Sequence, residues 1–223
     1  MSAFVQDTAG SVAVGTTTNS LAYSSNNTLG DLLVALIWWD GSGSYTPAVT
    51  DSQGNTWSLA GSPAHTSSTN FVNLWCQVAY AANCKAGANT VTVTYSGGTP
   101  QYNYINIAEF SGPTATDQIA TASGTTANPS ASATPGQANE VVVAMFVGDM
   151  SVVSAVSGFT VWGGNQAGGG GWGSAYQVQT TATAATATST GNSPSDWCCQ
   201  LVTFGTGGTT KKGNSLMMMG CGT

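Results

Sequence analysis

The chain has 223 residues, nine acidic side chains against three lysines and no arginine, a net charge of -6 and only 5% charged residues. Phosphate binding needs clustered cations that displace counterions, so this composition excludes a nucleic-acid partner. No apolar run approaches the ~20 residues of a membrane-crossing helix, so no membrane partner is expected either.

The first ten residues, MSAFVQDTAG, carry neither the basic nor the apolar region of a secretory signal. The chain is therefore expected to be made in a cytoplasm. The five cysteines, Cys76, Cys84, Cys198, Cys199 and Cys221, are expected as reduced thiols. Cys198 and Cys199 are adjacent, so on a strand they point to opposite faces and do not share a metal.

Ser, Thr and Gly alternate with Val, Ala, Tyr and Trp, without the stripes of an amphipathic helix. The period is that of strands. Residues 11–24, SVAVGTTTNSLAYS, give one or two alternating strands, and residues 31–39 give a strand apolar on both faces. Such a strand belongs at the covered centre of a sheet. In residues 70–80, NFVNLWCQVAY, Val72, Leu74, Cys76, Val78 and Tyr80 share one face. Residues 90–95 direct Val91, Val93 and Tyr95 inward, and residues 102–110 end the series. DGSGS at 40–44, DSQGN at 51–55 and SGGTP at 96–100 supply the turns.

The series then returns in weaker form. GDLLVALIWWD at 30–40 is echoed by NEVVVAMFVGD at 139–149, GTTTNS at 15–20 by GTTANP at 124–129, and NIAEFSG at 106–112 by QLVTFGT at 200–206. The expected fold is all-β, an antiparallel β-sandwich of jelly-roll type built from two repeated halves of about 100 residues. The domain would span residues 1–207, with halves 1–112 and 113–207. These halves form either two immunoglobulin-like sandwiches or one interleaved jelly roll. Residues 208–223 hold a Gly-rich run, Lys211 and Lys212, then Leu216, Met217, Met218 and Met219. They read as a flexible arm whose adaptable Met run contacts a partner.

Catalytic constellations are scarce. The single histidine, His65, stands in GSPAHTSS, which reads as a loop, and one histidine excludes the common two- and three-histidine metal centres. Glu109 shares a face with Ile105 and Ile107 and reads as a hydrogen-bond acceptor for a turn, while Asp31 and Glu140 stand before the two doubly apolar strands in structural positions. DSQGN has oxygen donors suited to calcium but lacks the acidic spacing of an EF-hand, and a turn is expected there. GGNQAGGGGWG at 163–173 has no following lysine or helix and is not a phosphate loop. No cofactor, metal or catalytic residue is expected. Trp39, Tyr45, Trp57, Trp162 and Trp172, several of them beside turns, are the candidate contacts for a partner or a glycan, together with the Leu216–Met219 run.

The order GDLLVALIWWD, VTDSQGNTWSLAG, WCQVAYAANCKAGANTVTVTYSG and INIAEFSG, then the weaker round, resembles a β-sandwich module of bacterial cell-surface proteins and tailed-phage structural proteins. The resemblance covers residues 3 to 205, carries scaffold motifs only, and implies fold rather than chemistry. A short chain with its own Met and no signal points to the phage setting. The expectation is a non-enzymatic virion protein that decorates a capsid, binds the major capsid protein and forms homo-oligomers. The alternative is an extracellular or cell-surface carbohydrate- or receptor-binding module.

Overall fold

The computed structural model describes residues 1–10, 12–41, 45–67, 73–149, 156, 158–167, 170–191 and 194–207. These contain strands and turns and no helix. In chain order the strands are β1 (Ala3–Ala9), β2 (Ala13–Val14), β3 (Thr18–Ala22), β4 (Leu32–Asp40), β5 (Thr46–Asp51), β6 (Ser58–Leu59), β7 (Ala64–Ser67), β8 (Asn73–Ala81), β9 (Thr90–Ser96) and β10 (Tyr102–Ser111). They continue as β11 (Ala115–Gly124), β12 (Ser130–Ala133), β13 (Glu140–Gly148), β14 (Thr160–Ala167), β15 (Gly170–Gln179), β16 (Ala185–Thr188) and β17 (Trp197–Gly205).

All pairings are antiparallel, and they form four sheets. A seven-stranded sheet runs β1-β10-β4-β8-β6, with β2 also on β10 and β7 also on β8, and a three-stranded sheet runs β3-β9-β5. This is jelly-roll order, in which the first and last strands pair and the intervening strands alternate between two sheets. The later strands follow the same path, with a five-stranded sheet β11-β17-β13-β15-β14 and a two-stranded sheet β12-β16.

Why the central strands are apolar on both faces follows from the stacking of these sheets. Leu32, Val34, Leu36 and Trp38 of β4 meet Val141, Val143, Met145 and Val147 of β13 in one central core. The alternate residues Leu33, Ala35, Ile37 and Trp39 pack beneath Val91, Val93 and Tyr95 of the three-stranded sheet. On the far side Val142, Ala144 and Phe146 pack against Ala131, Ala185 and Ala187 of the two-stranded sheet. The order of layers is three, seven, five and two strands. The sequence left two small sandwiches and one merged jelly roll both open, and the strands stack as two sandwiches sharing their large faces.

Specific groups fix the two sandwiches against each other. Phe4 stacks on Tyr176 at 4.8 Å, and Trp172 packs on both Trp38 and Tyr104. Asn106 donates from Nδ2 to Ser174 Oγ at 2.9 Å and accepts from Gly10 N and the Tyr104 hydroxyl. Glycine is required on either side of this asparagine. A Cβ at Gly163 would lie 1.9 Å from Asn106 Nδ2, and one at Gly10 would lie 2.1 Å from the Ile105 carbonyl oxygen. Gln200 of β17 crosses to the other sandwich, accepting from Val78 N at 2.6 Å and donating to Ala60 O and Ser62 O. The chain between β6 and β7 leaves the sheet there, and Gln200 satisfies the backbone groups so exposed.

Candidate functional site

The densest polar cluster lies at one end of the first sandwich. Ile105, Ile107 and Glu109 form the β10 stripe facing the outer core, so Glu109 stands where the apolar layer ends. The loop between β3 and β4 folds over it. Glu109 is fully buried, and it accepts from Gln6 Nε2 (2.5 Å), Asn27 Nδ2 (2.8 Å) and Thr28 N (2.7 Å). Gln6 holds the same loop through its amide oxygen Oε1, which accepts from Ser25 N and the Ser24 and Ser25 hydroxyls. Glu109 is the turn acceptor expected from the sequence, with a loop backbone as its ligand.

Asp31, at the entry to β4, lies against Glu109. Burial and the neighbouring Glu109 carboxyl raise its pKa to about 6, and its Oδ2 is buried without a donor from elsewhere in the chain. Cys84 completes the cluster, with Sγ donating to Thr28 O at 3.0 Å, and burial followed by the Glu109 charge pushes its pKa up to about 11. The Tyr23 hydroxyl donates to Ala108 O, and burial raises its pKa strongly.

The second sandwich has its own acid pair. Glu140, fully buried at the start of β13, is raised by burial and by Asp117, while the neighbouring Thr203 hydroxyl opposes the shift. Thr203 stands on β17 opposite Val142 and also accepts from Gln118 N at 3.0 Å. In both pairs the second carboxyl adds to the upward shift that burial imposes on the first.

A third polar centre is the 51–55 turn. Asp51 accepts from Asn55 N (2.9 Å), Asn55 Nδ2 (2.7 Å), Trp57 Nε1 (3.0 Å) and Asn89 Nδ2 (3.1 Å). Although burial acts to raise its pKa, these hydrogen bonds together hold it below the usual carboxylate range. The Lys85 ammonium donates to Gln53 O and Gly54 O, each at 3.0 Å. The turn therefore uses its carboxylate on N–H groups and its free carbonyls on lysine, as expected of a turn rather than a calcium loop. Among the described residues no three His, Cys, Asp or Glu side chains group to hold a metal.

The aromatic candidates separate by burial. Trp39 is fully buried and stacks on Trp75 in the outer core, while Trp162 and Trp172 lie in the central core. These three are corrected from surface contacts to packing residues, since each indole fills space between sheets. Tyr45 and Trp57 remain half-buried, and Trp57 is held by Asp51. Leu216, Met217, Met218 and Met219 and the proposed arm lie outside the described residues. His65 is on β7 rather than in a loop, its ring 3.9 Å from Trp75 and its Nε2 3.0 Å from Asn73 Oδ1. Within the glycine-rich 163–173 stretch, residues 163–167 lie on β14 and 170–173 on its partner β15.

Sequence reasoning missed Gln6, Asn106 and Gln200, which organise the polar interior. The available signal was a polar residue inside a stripe otherwise apolar on both faces, as in WCCQLV and YINIAEF. No family model, curated protein or solved structure matches the chain. No helix among the described residues is long and apolar enough to cross a membrane.

Proposed function

We propose that the chain is a non-enzymatic structural protein of a phage particle, a capsid decoration or accessory subunit that forms homo-oligomers and docks on the major capsid protein. The observation that carries this reading is how reactive and inert groups are distributed. Asp31, Glu109, Glu140 and the four described thiols are buried inside the scaffold. The outward faces of the two small sheets carry hydroxyl and methyl groups, many paired across strands, as in Ser20 with Thr92 and Ser130 with Thr188, both at 2.8 Å. Such a chain offers neutral, hydroxyl- and methyl-bearing surface for assembly. The phage setting rests on the resemblance of its strand and turn motifs to tailed-phage structural proteins, with synthesis in the host cytoplasm and residence in the virion. Mass spectrometry and electron microscopy of purified particles test it. Stoichiometric presence on the capsid supports the reading, and absence of the chain from particles ends it.

Trp57 favours one second reading, a carbohydrate- or receptor-binding module at a cell or particle surface. Its ring is half-buried at the rim and fixed in orientation by Asp51, as a sugar-stacking indole would be. Saturable signal on a glycan array, lost in Trp57→Ala, would move the assignment to this reading.

A further inference from the structure

The central core contains a pair of facing thiols. Cys76 of β8 and Cys198 of β17 are both fully buried, their Sγ atoms 3.8 Å apart, and 122 residues separate them in the chain. Each also reaches the backbone of the opposing sheet, Cys198 Sγ lying 3.6 Å from Leu74 O and Cys76 Sγ 3.8 Å from Met145 O. Facing sheets usually stand about 10 Å apart. A thiol within reach of the opposite main chain means that these two backbones come much closer, as the Gln200 to Val78 hydrogen bond two residues away also requires. Closure to a disulfide sulfur separation of about 2.05 Å asks for less than 2 Å of combined side-chain movement. The other described cysteines are placed elsewhere. Cys199 faces the outer core of the second sandwich and Cys84 bonds the loop carbonyl of Thr28.

We propose that Cys76 and Cys198 form a disulfide that cross-links the two sandwiches when the chain folds in, or is transferred to, an oxidising environment. The chemistry is exchange with a small-molecule disulfide. One cysteine thiolate attacks a sulfur of the reagent, forming a mixed disulfide and releasing one small thiolate, which takes up a proton. The second cysteine thiolate then attacks the protein sulfur of that mixed disulfide and expels the second small thiolate. Two cysteine thiols are oxidised, one reagent disulfide is reduced to two thiols, and the two cysteine protons end on them. Burial raises the Cys198 thiol well above its ordinary value, so the exchange belongs to the folding chain or to an opened state rather than to the closed core. Once sealed, the bond is shielded from reductants by the same core. The expectation of reduced thiols, drawn from composition, then holds only for protein kept in a reducing compartment.

The test is to refold the full chain in a buffer of oxidised and reduced glutathione and, separately, in excess reductant. With only three lysines and no arginine the chain is mapped by chymotrypsin or pepsin under non-reducing conditions. The expected result is one cross-linked peptide joining Cys76 to Cys198, with three of the five thiols, 5 − 2, still titratable after denaturation. The oxidised protein should melt roughly 10 °C higher than the reduced protein, given the length of the closed loop. Cys199→Ala should keep the cross-link and the shift, whereas Cys76→Ala and Cys198→Ala should lose both. Five titratable thiols in folded protein from the oxidising buffer, or a cross-link between other cysteines, would overturn the proposal. Should either alanine variant not fold, the wild-type peptide map decides alone.

Discussion

Gln200 and Val78 belong to different sandwiches, yet the Gln200 side chain accepts the Val78 amide at 2.6 Å and donates to Ala60 O at 2.8 Å and Ser62 O at 2.9 Å. A strand from the second half therefore completes the backbone hydrogen bonding of the first. Burying an amide or carbonyl without a partner costs about 1 to 3 kcal/mol. Gln200→Leu removes three such bonds while keeping the core filled, so it should destabilise the protein by about 3 to 5 kcal/mol in denaturant titration. A loss under about 1 kcal/mol would mean that water replaces the glutamine.

The Asp31–Glu109 pair predicts an unusual dependence on pH. The folded-state pKa of Asp31, about 6, lies above its value in an unfolded chain. Its contribution is thus fully present below the unfolded value and lost as pH rises through about 6. Melting temperature should fall between about pH 4 and pH 6, and Asp31→Asn, which keeps a hydrogen on the side chain, should flatten that fall. Glu140 is shifted in the same direction and leaves a smaller residual slope. An unchanged slope in Asp31→Asn would remove the Asp31 carboxyl from the explanation.

Asp51 acts with the opposite sign. Its pKa is held low by four N–H donors, so its contribution is present above the unfolded carboxylate value and lost as pH falls through the folded one. Asp51→Ala should cost about 2 to 3 kcal/mol at neutral pH, with the difference from wild type shrinking under acid. Tryptophan fluorescence should also report greater mobility of Trp57, whose indole N–H loses its acceptor.

Gly10 offers a steric test. A methyl group there meets the Ile105 carbonyl at 2.1 Å, a backbone atom in the middle of a central strand. Gly10→Ala should destabilise by about 2 kcal/mol or more, because β10 cannot retreat without disturbing β4. Gly54→Ala is the contrasting substitution: it retains space but has a positive φ of 67°, so its cost should be nearer 1 kcal/mol.

How much of this was legible in the sequence differs from element to element. The double apolar stripe of 31–39 and its echo at 140–148 announced covered central strands, and β4 and β13 occupy such places. The inward set Val91, Val93 and Tyr95 followed from alternation alone. The four-layer stack did not follow, because alternation separates two faces of a strand without saying which face meets the other half. Burial of Trp39 and Trp162 was hidden for a similar reason: a tryptophan near a turn reads the same in a core as at a rim. Asp31 and Glu109 were each identified as structural, but their meeting depends on the fold of the 24–31 loop, which has no periodicity. Gln200 carried the clearest unused signal, a polar side chain within a strand covered on both faces.

If the shared central core and the Gln200 crossing bind both sandwiches into one block, neither half should unfold alone. Differential scanning calorimetry of the full chain tests this directly. The expected result is one transition whose calorimetric and van't Hoff enthalpies agree, lowered as a single peak by Gln200→Leu. Two resolved transitions, with only the first-sandwich peak moved by Asp51→Ala, would contradict it.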